Sequence, residues 1–272
     1  MPPTITVLTT VLNAEQELPR LIESLRAQTD RDFEFIVIDG GSKDGTLAVI
    51  AASSDVVTFS LSEPDHGIYD ALNKGIGALK TDYYLVMGAD DVLYPDSIAQ
   101  FKAAVRETGA DVIVAGVKAG KSIRRGYHGN RAWLGHAAMV TPHSVGMLFR
   151  GELHKRFGAY SRRYPVLADG LFIKNVCKAP DVKISAAGFV AGDFNMAGIS
   201  NRHFISVLCE MWQIQIETGE NPILQYVLFQ LRLLRYLPRI IAKPERKPPN
   251  KPSPAAESRE SCPISPPNIL HS

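Results

Sequence analysis

The feature that most constrains the fold is the alternation of apolar runs with amphipathic segments across the first 115 residues. Short runs rich in β-branched residues predict buried strands at 5–12, 33–38, 56–61, 83–87 and 111–115. Between them, apolar residues at helical spacing predict helices at 15–28, 46–52, 69–79 and 96–108. Strands that alternate with helices predict an α/β fold with a mostly parallel sheet and helices on both faces.

The carboxyl ends of four predicted strands carry polar residues. These are Asn13, Asp39, the segment 63–65, and the adjacent pair Asp90 and Asp91. In open α/β sheets, ligands bind outside the carboxyl ends of the strands. We therefore expect a single polar site along one edge of the sheet.

The composition limits the classes of function that the chain can have. Lys plus Arg number 30 against 28 Asp plus Glu, and this balance does not support binding to nucleic acid. Cys177, Cys209 and Cys262 are far apart and odd in number, which fits a reducing compartment and predicts neither a zinc site nor a disulfide framework. We find no signal peptide and no uninterrupted apolar stretch of about 18 residues, so we expect a cytoplasmic chain without a membrane-spanning helix.

The stretch YLVMGADDVLYPDS places two carboxylates, Asp90 and Asp91, directly after a predicted buried strand. Adjacent carboxylates repel each other, and a divalent cation that carries a diphosphate would relieve the repulsion. The alternative is a solvated turn that caps the following helix.

Asp39 precedes two glycines in the stretch DGGSKDGT. Its carboxylate would accept a hydrogen bond from a base or ribose, and the glycines would let a ligand approach the backbone. The alternative is an ordinary turn in which Asp44 caps the next helix. Neither GGSKDGT nor GIGALK has the spacing of a P-loop or of a dinucleotide-binding loop.

Four segments together resemble the donor-binding half of glycosyltransferase family 2. In chain order they are TITVLTTVLNAE, EFIVIDGGSKDGT, SEPDHGIYDALNKGI and YLVMGADDVLYPDS, and the resemblance covers residues 4–200. It implies the GT-A fold, a nucleotide-sugar donor and inversion at the anomeric carbon. The variant SEPDHGIYDALNKG is similar to bacterial transferases of exopolysaccharide, lipopolysaccharide and capsule assembly.

The resemblance implies donor-binding roles for residues in the first three segments. The aspartate after the second strand matches the residue that hydrogen-bonds the nucleobase, and the segment 10–13 matches the first loop around that base. The segment 65–73 matches the block that lines the nucleotide and diphosphate. The residues that we assign to nucleotide-sugar binding from these segments are Thr10, Asn13, Asp39, Asp65, Tyr69 and Asn73.

The fourth segment implies a metal. Asp90 matches the second aspartate of the D-x-D motif of the family, which binds Mg²⁺ or Mn²⁺. Gly88 stands where the family has the first aspartate, so Asp90 or Asp91 must carry the metal and ribose contacts. We assign the metal to Asp90 and a donor contact to Asp91.

The segment HSVGMLFRGELHKRFGAYSRRYPVLADGLFI resembles the acceptor half of the family. Asp169 matches the catalytic base at the start of a helix, although Ala168 replaces the usual acidic neighbour. A carboxylate there would take the proton of the acceptor hydroxyl; the alternative is an N-cap for a helix at 171–177. His143 matches a histidine that precedes a strand, and both a ligand contact and a structural role stay open.

The stretch FNMAGISNRH resembles the loop that closes on the diphosphate, and Arg202 would meet phosphate charge there. A solvated basic turn is the alternative. After it, helices are expected at 204–217 and 223–241. On the second of these, Arg232, Arg235 and Arg239 share one face, which lies either on an anionic membrane surface or against the domain or a dimer partner.

We divide the chain into a GT-A catalytic domain, C-terminal helices and a disordered Pro-rich tail. Their bounds are 1–200 (nucleotide-sugar half 1–115, acceptor half 116–200), 201–242 and 243–272.

The expected function is inverting transfer of a sugar from a UDP-sugar to the hydroxyl of a saccharide or polyprenyl-linked saccharide in bacterial surface polysaccharide synthesis. We expect the enzyme in the cytoplasm, with a peripheral contact at the inner face of the cell membrane. The rival is a non-catalytic sugar-nucleotide-binding or scaffolding subunit, which Gly88 and Ala168 favour. A nucleotidyltransferase would need a Gly-rich basic loop after the first strand, which TTVLNAEQELPR lacks.

Overall fold

A computed structural model describes residues 2–140, 144–195 and 204–242. The strands in these residues are β1 (Ile5–Val11), β2 (Glu34–Asp39), β3 (Phe59–Ser62), β4 (Tyr83–Met87), β5 (Val92–Leu93), β6 (Val112–Ala119), β7 (Ser122–Arg124), β8 (Met147–Arg150) and β9 (Ile184–Phe194). They form one sheet in the order β3-β2-β1-β4-β8-β6-β9-β5, and β7 pairs with β6.

Six of the nine described strands run in the same direction, although parallel and antiparallel pairings are equally frequent among them. β1 pairs in parallel with β2 and β4, and β2 pairs in parallel with β3. β8 runs antiparallel between β4 and β6, and β6 is parallel to β9. The carboxyl ends of β1, β2, β3, β4, β6 and β9 therefore lie at one edge of the sheet, which we call the carboxyl edge.

Helices cover both faces of the sheet. They are α1 (Leu18–Arg26), α2 (Thr46–Ala51), α3 (Ile68–Gly77), α4 (Ser97–Thr108), α5 (His136–Met139), α6 (Leu153–Phe157), α7 (Ala168–Lys178), α8 (Phe204–Glu217) and α9 (Pro222–Ala242), with 3₁₀ helices at Gly129–Leu134 and Ser144–Gly146. Leu21 of α1 and Phe101 of α4 belong to one core, whereas Leu72 of α3 and Phe172 of α7 belong to the core on the opposite face.

The first helix shows why the sequence folds this way. Leu18, Leu21, Ile22 and Leu25 recur at helical spacing and are all buried against the sheet. Pro19 lies in the first turn, where its missing N–H costs no helical hydrogen bond. Burial of one such Leu or Ile side chain stabilises the fold by about 1.5–3 kcal/mol.

The predicted α/β fold is confirmed, and the strand at 83–87 and the helix at 204–217 have the predicted bounds. The second half of the domain is more regular than the sequence indicates, because β6 extends to Ala119 instead of ending at residue 115, and β9 is a strand of 11 residues. Gly188 and Gly192 interrupt the apolar alternation of β9, and its register with β6 shifts beside Gly116. Because of these irregularities, regular apolar periodicity does not predict one long strand in this segment.

The last helix packs on the domain through part of its basic face. Gln225 Nε2 donates a hydrogen bond to the carbonyl of Trp133 at 2.8 Å, and Arg232 Nη2 donates one to the carbonyl of Leu134 at 2.8 Å. The packing alternative is therefore correct for this side of the helix. Among the described helices, none has both the length and the apolar character that crossing a membrane requires. The predicted tail, 243–272, lies outside the described residues.

Candidate active site

Strand register gathers several of the predicted residues at the carboxyl edge. Val11 is paired with Asp39, and Asp39 with Ser62, so β1, β2 and β3 end side by side. Thr10 lies one residue earlier in β1 and is half-buried. β4 also neighbours β1, and the loop that carries Asp90 follows it at the same edge.

Asn13 joins the loops that follow β1 and β2. It adopts φ 52°, in the left-handed region that asparagine tolerates better than most residues. Its Oδ1 accepts a hydrogen bond from the Lys43 N–H at 2.8 Å, and its own N–H donates to Ser42 Oγ at 2.7 Å. These bonds tie the two loops together.

Asp39 is only 1% exposed. Its carboxylate accepts hydrogen bonds from the Gly41 N–H at 3.1 Å, from Ser62 Oγ at 2.6 Å, and from both the N–H and the hydroxyl of Ser42. Burial alone would raise the pKa of Asp39, but these hydrogen bonds outweigh it and hold the pKa below its ordinary value. The geometry gives Asp39 a clear role in shaping the loop, while its predicted contact with a nucleobase stays a prediction.

Asp65 lies over the backbone of Gly40. A Cβ at Gly40 would be 2.3 Å from Asp65 Oδ2, so only glycine leaves room for this carboxylate. The other oxygen, Oδ1, accepts a hydrogen bond from the Gly67 N–H at 2.8 Å. Unlike Asp39, Asp65 is partly exposed. A partly exposed carboxylate therefore lies directly beside the end of β2.

Tyr69 and Asn73, both on α3, connect that helix to the acceptor half. The Tyr69 hydroxyl lies 2.7 Å from Asp169 Oδ1 and 2.9 Å from the carbonyl of Val166. Burial raises the pKa of Tyr69, which keeps the hydroxyl protonated as a donor. Asn73 exchanges two hydrogen bonds of 2.8 Å with the backbone of Tyr160. Both side chains thus hold the two halves together.

Asp169 occupies the first turn of α7, which begins at Ala168. The helix therefore starts earlier than 171, Leu167 is its N-cap, and the capping alternative for Asp169 is wrong. Besides Tyr69, the Gly170 N–H donates to Oδ1 at 2.8 Å. A Cβ at Gly170 would be 2.5 Å from His136 Nδ1, so the imidazole also packs at this helix start.

Asp90 and Asp91 have different surroundings. Asp91 is 1% exposed, and its oxygens accept hydrogen bonds from the N–H groups of Gly88 at 2.8 Å and Asn195 at 3.0 Å. Burial raises the pKa of Asp91 to about 7. Asp90 is partly exposed. A Cβ at Gly88 would be 2.9 Å from a carboxylate oxygen of each aspartate, which explains why a side chain at position 88 would not fit this loop as it stands.

A cavity of about 390 Å³ opens beside Asp90 at the carboxyl edge. Its charged lining comes from α1 and from the ends of β6 and β9: Arg20, Lys118 and Asp193. Lys118 and Asp193 form an ion pair at 3.3 Å. Predicted residues His143 and Arg202 lie outside the described residues. The cavity therefore combines the carboxylate of Asp90 with the cationic side chain of Arg20 and the ion pair of Lys118 and Asp193.

The sequence model described as "Glycosyl transferase family 2" matches residues 6–168, which is more than half of the chain. The chain belongs to glycosyltransferase family 2. The resemblance inferred from the four segments is thereby confirmed.

Proteins that are similar to this chain are named as glycosyltransferases. A "PGL/p-HBAD biosynthesis glycosyltransferase" of Mycobacterium bovis is 29% identical over 210 residues, which cover 73% of this chain and 80% of the relative. An "Uncharacterized glycosyltransferase" of Mycobacterium tuberculosis is 38% identical over 109 residues, which cover 39% of this chain and 42% of that protein. Together with the family assignment, these names support sugar transfer as the activity.

Solved structures share the fold. S. aureus TarS in complex with UDP-GlcNAc has a TM-score of 0.59 at 16% identity, covering 86% of this chain and 73% of TarS. The mannosyltransferase PcManGT from Pyrobaculum calidifontis, in complex with GDP-Man and Mn²⁺, has a TM-score of 0.59 at 16% identity, covering 90% of this chain and 73% of PcManGT. The predicted GT-A fold is confirmed.

The residues of this glycosyltransferase fit a divalent cation that arrives with a diphosphate. Such a cation needs only one or two carboxylates from the protein. Asp90 is accessible from the cavity, whereas backbone N–H groups engage both oxygens of Asp91. In the ranges that the structure describes, no three His, Cys, Asp or Glu side chains converge as a metal site of their own.

Sequence reasoning missed four residues of the site. Arg20 and His136 are single residues in unremarkable segments, and no local pattern marks them. Lys118 and Asp193 lie near the carboxyl ends of β6 and β9. The rule that pointed to Asp39 and Asp90 would have found this pair if the two strands had been given their full length.

Proposed function

We propose that this family member is an inverting glycosyltransferase that transfers a sugar from a UDP-sugar to an acceptor hydroxyl. The observation that carries the proposal is the setting of Asp169. Its partly exposed carboxylate is held by Tyr69, and Tyr69 follows the loop that carries Asp65. Tyr69, in the first turn of α3, thus links the candidate base, Asp169, to the loop that carries the candidate donor-binding carboxylate, Asp65.

The donor nucleoside binds beside Gly40 and Asp65 in this proposal. Four hydrogen bonds hold the buried carboxylate of Asp39 in the loop, and its contact with the nucleobase remains part of the proposal. Asp65 is partly exposed and lies above a glycine, which lets a ligand approach both the carboxylate and the backbone. Thr10 and Asn13 border the same space. TarS was solved with UDP-GlcNAc and the equally similar PcManGT with GDP-Man, and both support a nucleoside-diphosphate sugar as donor. Uridine is our choice from the resemblance of the four segments.

The diphosphate binds in the cavity beside Asp90. Asp90 would hold Mg²⁺ or Mn²⁺, and the cation supplies charge that stabilises the departing diphosphate. Arg20 adds positive charge to the cavity, whereas the charge of Lys118 is offset by Asp193, and Arg202 is proposed to contribute from outside the described residues. Asp91 holds the loop in place through its bonds to Gly88 and Asn195 rather than by contact with the donor.

Asp169 takes the proton of the acceptor hydroxyl. The hydroxyl oxygen forms a bond to the anomeric carbon while the bond from that carbon to the diphosphate oxygen breaks. Attack from the side opposite the leaving group inverts the configuration. Tyr69 and the Gly170 N–H fix the position of Asp169 Oδ1, which keeps the base oriented for this transfer. His143, which lies outside the described residues, is assigned to nucleotide-sugar binding.

The proposed acceptor is a saccharide or a polyprenyl-linked saccharide, and the proposed pathway class is the synthesis of bacterial surface polysaccharide. The similarity of SEPDHGIYDALNKG to such transferases supports this role. Cys177 and Cys209 are both free, which supports a reducing, cytoplasmic setting.

Two measurements test the proposal. Asp169→Asn should lower sugar transfer by about 100-fold or more while the dissociation constant for UDP stays unchanged. Asp181→Asn is the matched control, since Asp181 is exposed and paired with Arg156 away from the carboxyl edge. Unchanged turnover in Asp169→Asn would remove Asp169 from the mechanism.

The rival scaffolding function is separated by slow donor hydrolysis. Purified enzyme should release free sugar from a UDP-sugar in the absence of acceptor. Tight UDP binding without transfer or release would instead favour a non-catalytic subunit.

A further inference from the structure

The last helix, α9, carries a broad apolar face directed away from the domain. Its exposed large apolar residues, 40–77% accessible, are Ile223, Leu224, Tyr226, Val227, Leu231, Leu234 and Leu237. At about 100° per residue, these seven side chains fall within an arc of roughly 160°. Gln225 and Arg232 lie on the other side of the helix, where they hydrogen-bond the carbonyls of Trp133 and Leu134. These bonds fix the orientation in which the apolar face points outward.

We infer that the apolar face of α9 binds the surface of a bilayer that contains anionic lipid. An amphipathic helix with basic residues beside its apolar face lies in the interface between headgroups and acyl chains. Arg235 is exposed and lies about 40° from Leu231 around the helix, so it borders the apolar face. Trp212 of α8 is 36% exposed, and its ring centroid is 6.0 Å from that of Phe229, which adds an aromatic ring of the kind found at membrane interfaces.

Charge favours lipid over a second copy of this chain. Residues 222–242 contain three arginines and neither Asp nor Glu. The following residues, 243–251, contain four basic residues against one acidic residue. A symmetric dimer across this face would bring arginines of both helices together without carboxylates on either helix to pair with them. Anionic headgroups supply that complementary charge.

The position of α9 connects this surface to the site. Arg232 contacts Leu134, which lies two residues before His136, and His136 packs against Gly170 beside Asp169. A chain bound to a bilayer through α9 therefore presents its acceptor half near the lipid surface. The lipid contact itself does not depend on the proposed function, since a chain without transferase activity would bind equally.

Cosedimentation of the full chain with vesicles tests the inference. We expect binding to phosphatidylcholine vesicles that contain about 30% phosphatidylglycerol and much weaker binding to phosphatidylcholine alone. Leu231→Ser combined with Leu234→Ser should lower the partition coefficient at least about tenfold. Arg235→Gln should lower it about fivefold and reduce its salt dependence.

The matched control is Leu47→Ser combined with Ile123→Ser, which removes two exposed apolar side chains elsewhere and should leave vesicle binding unchanged. Three outcomes would overturn the inference: no binding of the unmodified chain to anionic vesicles, equal binding to neutral vesicles, or equal loss in both double variants. A dimer in solution that Leu231→Ser with Leu234→Ser dissociates, without vesicle binding, would assign the face to a second copy.

Discussion

Replacement of Gly40 by alanine tests how the donor is recognised. The new methyl group would start 2.3 Å from Asp65 Oδ2 and 3.1 Å from Asp65 Cγ. The carboxylate would have to move by roughly 1 Å to reach ordinary van der Waals contact. Gly40 does not adopt a positive φ, so the backbone itself accepts alanine. The substitution therefore displaces one carboxylate and leaves the rest of the loop intact.

The size of the effect follows from the interaction that is lost. A hydrogen bond to a charged acceptor contributes about 1.5–3 kcal/mol. Loss of such a bond between Asp65 and the nucleoside would raise the dissociation constant for UDP by about 10- to 150-fold. Asp65→Asn should reproduce the loss, because the amide carries no charge.

Isothermal titration with UDP and Mn²⁺ measures the dissociation constant, and thermal unfolding checks that each variant is folded. Gly77→Ala is the matched control, since a Cβ at that position meets no atom within 4 Å. It should bind UDP like the unmodified protein. If Gly40→Ala and Asp65→Asn both bind UDP with unchanged affinity, the assignment of Asp65 to the donor is incorrect.

Three further substitutions test the roles of individual buried side chains in catalysis and in stability. Tyr69→Phe removes the hydrogen bond to Asp169, so kcat should fall about tenfold while the dissociation constant for UDP is unchanged, as steady-state kinetics and titration can show. Asp39→Asn leaves donors of the buried loop facing an amide NH₂, and urea unfolding should show a loss of about 3 kcal/mol in unfolding free energy. Burial lowers the pKa of His154 below 6.5, so the folded state favours the neutral ring. The contribution of the neutral His154 ring to the free energy of unfolding is present above about pH 6.5 and is lost as the pH falls below that value. His154→Gln should therefore flatten the pH dependence of the unfolding free energy between about pH 5 and 8.

The strands of the first half of the fold, and the edge of the sheet that holds the candidate site, could be predicted from the sequence because local patterns mark them. Each of β1, β2 and β4 is a short run buried on both faces, and each ends where polar residues begin. Periodicity within about ten residues captures such elements. Because parallel strands end at one edge, the common location of Asp39, Asp65 and Asp90 followed from topology alone.

The remaining parts depend on contacts between distant segments. β6 and β9 pair across about 70 residues of sequence, with a register shift that no local pattern reports. The bonds of Asn73 to Tyr160 and of Tyr69 to Asp169 likewise join positions far apart in the chain. The same limit applies to α9. Its sequence predicts a basic face but does not say what that face contacts, and the hydrogen bond from Arg232 to Leu134 shows that this side packs on the domain.

A crystal structure of this protein with an intact UDP-sugar and Mn²⁺ tests the proposed site most directly. We expect the nucleoside beside Asp65, the diphosphate in the cavity at Asp90, and the anomeric carbon facing Asp169. At the opposite end of β4, a groove of about 760 Å³ is lined by Lys80, Arg150 and Lys155 among other residues. A donor bound in that groove, with the carboxyl edge empty, would show that the proposed site is wrong.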